Sequence, residues 1–127
     1  MAETTAADMG RVFETSVLGS VRVLRAFAAL LDSSAAPVVV NASSGLGSLG
    51  HASDPEGPYA DLNMRAYPAS KASLNMLKVQ WAQGVPRWRI NAAGPGFTAT
   101  DVNAHRGTQS VEDGTDAIVR PSHAVER

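Results

Sequence analysis

Residues 37–50 read PVVVNASSGLGSLG, and this stretch decides which fold the chain can adopt. Pro37 is followed by an apolar, β-branched run over residues 38–42. Such a run is typical of a strand that is buried on both faces, as the strands of parallel sheets are. The small residues that follow, from Ser43 to Gly50, predict a sharp turn at the end of this strand.

The segments on either side of this strand predict helices. Apolar residues recur at three- and four-residue steps over residues 7–31, and Thr5 or Asp8 is placed to cap the start. Gly19 has two interpretations: it weakens this helix by about 1 kcal/mol relative to alanine, or it allows close packing against a neighbouring helix. Further along, the sequence predicts a loop over 51–62, a helix over 66–83, a strand over 88–92 and a helix over 110–120. Helices that alternate with strands predict an α/β fold with a parallel sheet.

The composition is that of a small globular chain. Its 127 residues are 44% hydrophobic and carry a net charge of −1, so nothing indicates nucleic acid or an anionic membrane as a partner. The absence of cysteine excludes disulfides and thiolate chemistry. The N-terminus has no apolar signal segment, and no apolar stretch is long enough to span a bilayer. We therefore expect a protein of the cytoplasm.

Two strands are too few for a complete sheet covered on both faces. We therefore interpret residues 1–127 as a single partial domain. Its three histidines, His51, His105 and His123, have no spacing typical of metal ligands, so no metal is expected.

Tyr67 and Lys71 stand four residues apart in the run AYPASKASLNML, residues 66–77. Four residues make about one helical turn, so the two side chains lie on one face. A free tyrosine hydroxyl titrates near pH ~10, and a nearby ammonium stabilises the phenolate. The pair is therefore a candidate general acid/base. Taken alone, a pair at this spacing is more often a lysine lying along a half-buried tyrosine than a catalytic pair.

Gly45, Gly47 and Gly50 spell GxGxxG directly after the first predicted strand. A dinucleotide fingerprint needs a helix that starts at the motif, so that the helix N-terminus holds a pyrophosphate. The residues that follow, HASDPEGP, are typical of a loop, so we reject that interpretation. The glycines instead predict a tight turn at the strand end.

Three motifs in order resemble the short-chain dehydrogenase/reductase family. They are VVNASSG at residues 39–45, YPASK at residues 67–71 and INAAGPGFTAT at residues 90–100. The resemblance runs from about Val12 to about Val119. It implies a partial doubly wound, Rossmann-type parallel sheet with flanking helices, and specifically the C-terminal half of an NAD(P)-binding domain.

The resemblance also implies roles for individual residues. Ser44 would hydrogen-bond the substrate carbonyl, Tyr67 would exchange a proton with its oxygen, and Lys71 would bind the nicotinamide ribose. Cofactor contacts would further come from the turn and loop after the second strand, at Pro95, Gly96, Thr98 and Thr100. The serines and threonines have an alternative role, because such hydroxyls also cap turns and loops. The cofactor would be NAD or NADP, and the sequence does not choose between them.

Two features depart from the family pattern. Ser16 stands where the family usually carries an asparagine that supports a proton relay, and serine lacks the paired donor and acceptor of an amide. The glycine-rich first turn and the first βαβ half, which would hold the adenosine and pyrophosphate, do not occur in these residues.

Three hypotheses follow for the function. The first is an NAD(P)-dependent oxidoreductase that interconverts a small alcohol and a carbonyl compound, and that forms a homo-oligomer through the helices at 7–31 and 66–83. The second is a truncated, inactive remnant that acts only as an interaction module. The third, a small α/β binding module, leaves the order of the three motifs unexplained.

Overall fold

The computed structural model describes residues 4–123, with the side chain of His123 outside the described part. The elements follow one another as helix α1 (Ala6–Phe13), a π-helical turn (Glu14–Leu18), helix α2 (Gly19–Ser33), strand β1 (Val38–Ala42), a 3₁₀ turn (Gly45–Gly47), helix α3 (Leu49–Ser53), helix α4 (Ala66–Gly84), strand β2 (Arg89–Ala93), a second 3₁₀ turn (Asp101–Asn103) and helix α5 (Val111–His123). This is the expected α/β order, with helices between and after the strands.

The first helix begins at the cap that the sequence predicts. The Thr5 hydroxyl accepts a hydrogen bond from the Asp8 amide (3.2 Å), and the Asp8 carboxylate accepts one from the Thr5 amide (2.9 Å). This reciprocal capping box satisfies two donors that a helix start leaves without partners. Close packing at Gly19 is not what the structure shows: among residues 4–123, a Cβ added there would meet only the Glu14 carbonyl, at 3.5 Å.

The two strands pair in parallel, with Val38 opposite Arg89 and Ala42 opposite Ala93. The second strand begins one residue later than predicted, because Trp88 belongs to the preceding turn. Its amide donates to the Val85 carbonyl (2.9 Å), and its buried indole donates to the Asp32 carboxylate (3.0 Å). Since parallel strands end at the same edge, residues 43–47 and 94–98 emerge side by side.

Helices α4 and α5 cover the sheet. Helix α4 contacts β2, α1, the π-helical turn and the first 3₁₀ turn. Helix α5 contacts both strands. The buried apolar side chains lie where these elements meet: Val17, Leu74, Trp88, Ile90 and Ala93. By contrast, a groove separates α2 from β1, and it is lined by apolar side chains of both. The core is therefore small and lies on the α4 side.

Two predicted boundaries need correction. The expected loop over 51–62 begins inside helix α3, because the Ser48 hydroxyl accepts from the His51 amide (3.3 Å) and caps a short helix. The last helix begins after Ser110, whose hydroxyl accepts from the Asp113 amide (3.1 Å), and it continues past Pro121. Among residues 4–123, no helix is long and apolar enough to cross a membrane.

Candidate active site

The first part of the site is the end of β1. The Ser43 amide donates to the Ala93 carbonyl of the neighbouring strand (2.8 Å), and the Ser43 side chain is buried. Ser44 follows in extended conformation, and its hydroxyl accepts from the Leu46 amide (3.2 Å). The turn-capping role that the sequence left open for Ser44 is thus present. A hydroxyl that accepts still has a proton to donate, so this cap does not exclude a contact with a substrate oxygen.

The second part is the first turn of α4. Tyr67 and Lys71 lie on one face of this helix, as predicted, and the Lys71 Nζ lies 5.5 Å from the centre of the Tyr67 ring. This distance is within the range of a cation–π contact. The Lys71 ammonium also donates to the Ala42 carbonyl (2.8 Å), at the end of β1. Tyr67 itself is 36% exposed, so its ring borders solvent.

The two parts are in direct contact. Gly47, in the turn after Ser44, lies against the Lys71 backbone so closely that an added Cβ would be 2.8 Å from the Lys71 carbonyl carbon. The structure therefore brings the Ser44 segment, Tyr67 and Lys71 together at the carboxyl end of β1. In sheets of this type, ligands bind outside the carboxyl ends of the strands.

Partial burial lowers the pKa of the Lys71 ammonium below the ordinary lysine value of 10.5. The physical cause is desolvation, which disfavours the charged form of an amine. An amine with a lowered pKa releases its proton more readily than a fully hydrated lysine does, and perturbed values of this kind are common at functional sites.

Ser16 lies in the π-helical turn, and this turn packs against α4. Its carbonyl accepts from the Ser20 hydroxyl (3.0 Å). Within residues 4–123, the Ser16 hydroxyl has no hydrogen-bond partner, and so the structure does not join it to Tyr67 or Lys71. Sequence periodicity missed the π turn, because one extra residue in a helical turn leaves the three- and four-residue steps nearly intact.

The loop after β2 carries the predicted cofactor residues. Gly96 has φ of 79°, a left-handed conformation that favours glycine after Pro95. The Thr98 hydroxyl donates to the Pro95 carbonyl (3.3 Å) and accepts from the side-chain amide of Gln109 (3.1 Å). Thr98 therefore holds its own loop together.

Thr100 binds within the same loop through its backbone. Its amide donates to the Asn103 side chain (3.2 Å), and its carbonyl accepts from the His105 amide (2.9 Å). The loop thus keeps Pro95 and Gly96 beside the serine turn, because Gly94 packs against Ser44 and Gly45.

The glycines of the GxGxxG motif face protein groups. The Tyr59 hydroxyl occupies the space beside Gly45, and the Lys71 backbone occupies the space beside Gly47. The loop expected directly after the motif is wrong, since helix α3 begins at Leu49. Its five residues and the filled space at Gly45 and Gly47 still leave no cradle for a pyrophosphate.

Two side chains near the site were not predicted. Tyr59, half-buried, has its ring 6.2 Å from that of His51, and its hydroxyl lies against the residue after Ser44. Nothing in the sequence marks it, because its position depends on a loop. Asn75 binds Ser43 and Gly47, and its spacing of four residues from Lys71 was a usable signal.

Among the described residues, no group of acidic or histidine side chains is arranged to hold a metal ion.

Comparisons with known proteins agree with this geometry. Residues 1–110 match the sequence profile of a family described as short chain dehydrogenase. The chain is 35% identical to (+)-neomenthol dehydrogenase of Arabidopsis thaliana over 135 aligned positions, covering 80% of this chain and 46% of that protein.

Solved structures show the same fold. Salutaridine reductase from Papaver somniferum superposes with a TM-score of 0.81 at 22% identity, over 97% of this chain and 53% of that one. An NADPH-bound carbonyl reductase from chicken fatty liver gives 0.80 at 23% identity, over 94% and 52%. The chain thus spans about half the length of the relatives it matches. By its sequence and its fold, it belongs to the short chain dehydrogenase family.

Proposed function

We propose that these residues form the catalytic part of an NAD(P)-dependent oxidoreductase that interconverts an alcohol and a carbonyl compound. The observation that carries this proposal is the position of the Lys71 ammonium. It donates to the carbonyl of Ala42, two residues before Ser44, and lies over the ring of Tyr67 (5.5 Å). One amine thereby links the serine strand to the tyrosine helix.

In this proposal, each side chain has a separate task. The Ser44 hydroxyl donates a hydrogen bond to the substrate oxygen and orients it. The Tyr67 hydroxyl gives that oxygen a proton when a carbonyl is reduced and takes it back when an alcohol is oxidised. The positive charge of Lys71 stabilises the phenolate that Tyr67 becomes after giving up its proton.

The residues present suit the nicotinamide end of the cofactor. An ammonium has three donors, and the Ala42 carbonyl uses one of the Lys71 donors, which leaves two for ribose hydroxyls. Pro95, Gly96, Thr98 and Thr100 lie in the loop that follows the neighbouring strand β2, and we propose that they contact the nicotinamide through this loop. When bound, the nicotinamide supplies or accepts the hydride at the reacting carbon.

The choice between NAD and NADP stays open in this proposal. Among the described residues, the glycine motif offers no space for a pyrophosphate, since Tyr59 and Lys71 occupy it. The NADPH named for the chicken carbonyl reductase is a property of that protein.

We propose Ser16 as a relay group that acts through a water, because its turn packs against α4.

A second candidate function is an inactive remnant that serves as an interaction module. It is favoured by the apolar side chains left exposed on α2, such as Phe27 at 55% and Leu30 at 65%. In either case we propose a homo-oligomer through the helices at 7–31 and 66–83. For the active form we propose small-molecule alcohols or carbonyls as substrates. We also propose a location in the cytoplasm.

A cofactor titration separates the two candidates. The purified chain is heated with increasing NADH or NADPH, and the unfolding midpoint is recorded. A cofactor at 100 times its dissociation constant stabilises the folded state by about 2.7 kcal/mol, so an oxidoreductase shows a clear upward shift. Oxidation of the same cofactor is then followed with a panel of small ketones and aldehydes. An unchanged midpoint with both cofactors, and no turnover, would establish the remnant instead.

A further inference from the structure

Helix α4 presents a third polar side chain in line with the proposed catalytic pair. Tyr67, Lys71 and Asn75 follow one another at four-residue steps, so they lie along one face of the helix. Tyr67 and Lys71 have roles in the proposed reaction, whereas Asn75 has none. It lies one turn further from the cleft, on the side that packs against the serine turn.

The Asn75 amide binds both ends of the segment that holds Ser44. Its Oδ1 accepts a hydrogen bond from the Ser43 hydroxyl (2.5 Å), and its Nδ2 donates to the Gly47 carbonyl (3.3 Å). An amide offers a donor and an acceptor side by side, which a carboxylate or an apolar side chain does not. The two bonds therefore span residues 43–47, with Ser44 between them.

The hydrogen bond from Ser43 to Asn75 is made at a buried position, where a lost partner is not replaced by water. Ser43 is 7% exposed, so its hydroxyl has little access to water and depends on Asn75 as its partner. On the other side of Ser43, its amide donates to Ala93, and Lys71 binds the Ala42 carbonyl. The serine segment is thus tied to β2 by its backbone and to α4 by side chains.

From this geometry we infer that Asn75 is a positioning residue, which fixes the Ser44 segment on the helix that carries Tyr67 and Lys71. The inference rests on the proposed function for its catalytic consequence, but its structural half stands apart from it. Proton exchange needs the serine and tyrosine hydroxyls at one substrate oxygen, and a misplacement of about 1 Å costs roughly 100-fold in rate. Asn75 itself touches neither substrate nor cofactor in this account.

Hydrogen exchange tests the structural half without any need for activity. The Gly47 and Ser48 amides donate within the turn, to the Ser44 and Gly45 carbonyls, both at 3.0 Å. In Asn75→Leu these two amides exchange faster by on the order of tenfold, since two hydrogen bonds that hold the turn are lost. The Ser43 amide, which bonds to β2, keeps its protection. Gln80→Leu, a matching replacement of an amide by leucine at an exposed position of α4, changes none of the three.

Milder variants keep the test decisive if Asn75→Leu does not fold. Ser43→Ala removes one of the two bonds, and Asn75→Asp keeps the acceptor but loses the donor to Gly47. Both should accelerate exchange at Gly47 and Ser48 less than Asn75→Leu does. Equal acceleration at all amides would mean general destabilisation and would overturn the inference, as would unchanged exchange in the turn.

Kinetics test the catalytic half. With saturating cofactor, Asn75→Leu and Ser43→Ala lower kcat by tenfold or more and change KM for the cofactor little, because the Lys71 and loop contacts remain. Variants with a loosened turn and an unchanged kcat would overturn the positioning role. If the unmodified chain itself shows no turnover, the proposed function fails, and the exchange experiment still decides whether Asn75 holds the turn.

Discussion

At the scale of single residues, Lys71 is the group on which the account depends. Burial lowers its pKa from the ordinary value of 10.5, so the folded chain releases this proton at a lower pH than the unfolded chain. Between these two pH values the unfolded state binds more protons. Stability therefore rises with pH in a window that ends near the ordinary lysine value.

The titration of Lys71 is directly measurable, because the chain contains only two lysines, Lys71 and Lys78. In a chain labelled with ¹³C-lysine, we expect the Lys71 ε-carbon to titrate below pH 10.5. Lys71→Gln removes and so assigns this signal. A midpoint at the ordinary value would show that the amine is fully hydrated and would contradict its partial burial.

The same shift predicts a pH-dependent stability. We expect the unfolding free energy of the unmodified chain to rise, relative to that of Lys71→Gln, as the pH increases toward 10.5. Urea denaturation at a series of alkaline pH values measures this difference. A difference that falls over the same range would mean that the charged amine is favoured in the folded state, the opposite of what burial dictates.

At the scale of elements, the contact between the serine turn and α4 allows no side chain at Gly47. An added Cβ would be 2.8 Å from the Lys71 carbonyl carbon and 2.9 Å from its Cβ, which are backbone and near-backbone atoms that do not move aside. The close approach of the turn to the helix thus requires glycine. It also brings the turn that begins at Ser44 against the helix that carries Tyr67.

We therefore expect Gly47→Ala to destabilise the chain by about 1–3 kcal/mol, the usual cost of overpacking. Gly10→Ala is the matched control, because Gly10 lies inside α1 with no atom within 4 Å of the added Cβ. That substitution should stabilise by roughly 0.5–1 kcal/mol, since alanine favours helix over glycine. Urea midpoints measure both. Gly47→Ala with unaltered stability would show that the turn does not pack on α4 as described.

The order of the elements was predictable from the sequence, because it depends on local patterns. The apolar run at Val38–Ala42 and the helix that carries Tyr67 and Lys71 both occur where periodicity and breakers put them. Short elements were harder to predict from the sequence. Helix α3 depends on one capping serine, Ser48, and the π turn at Glu14–Leu18 leaves the spacing of apolar residues unchanged.

The site itself was predictable only in part. The motifs pointed to Ser44, Tyr67 and Lys71, and the structure brings the segments that carry them together. The contacts that hold them, from Lys71 to Ala42 and from Asn75 to Gly47, join residues 28–29 positions apart. Such pairings depend on how the turn packs against α4, which no local pattern encodes.

At the scale of the whole molecule, the chain exposes an unusually large surface. Its area is 8710 Å², whereas a folded monomer of 13.2 kDa exposes about 6400 Å². The excess of about 2300 Å² on one chain is larger than the ~800 Å² that each partner buries in an interface of standard size. Part of it lies on α2, where Val23 (60% exposed) and Phe27 (55% exposed) stand one turn apart beside the groove.

We expect the isolated chain to associate in solution through such surfaces. Size-exclusion chromatography with light scattering should give a mass above 13.2 kDa. Changing Val23 and Phe27 together to glutamate should lower that mass, because charge opposes burial of the α2 face. Val102→Glu is the control, since Val102 lies in the second 3₁₀ turn and is 98% exposed. A monomeric unmodified chain, or an equal effect of Val102→Glu, would contradict this expectation.

The central claim is that the Tyr67 hydroxyl carries the proton at a nicotinamide-dependent site. Its most direct test compares turnover of the unmodified chain and Tyr67→Phe, with NADPH and a small ketone, alongside the cofactor-induced shift in unfolding midpoint. We predict that removal of this one oxygen lowers turnover by about 10²–10⁴-fold while the cofactor shift persists. A Tyr67→Phe protein that turns over as fast as the unmodified chain would contradict the account.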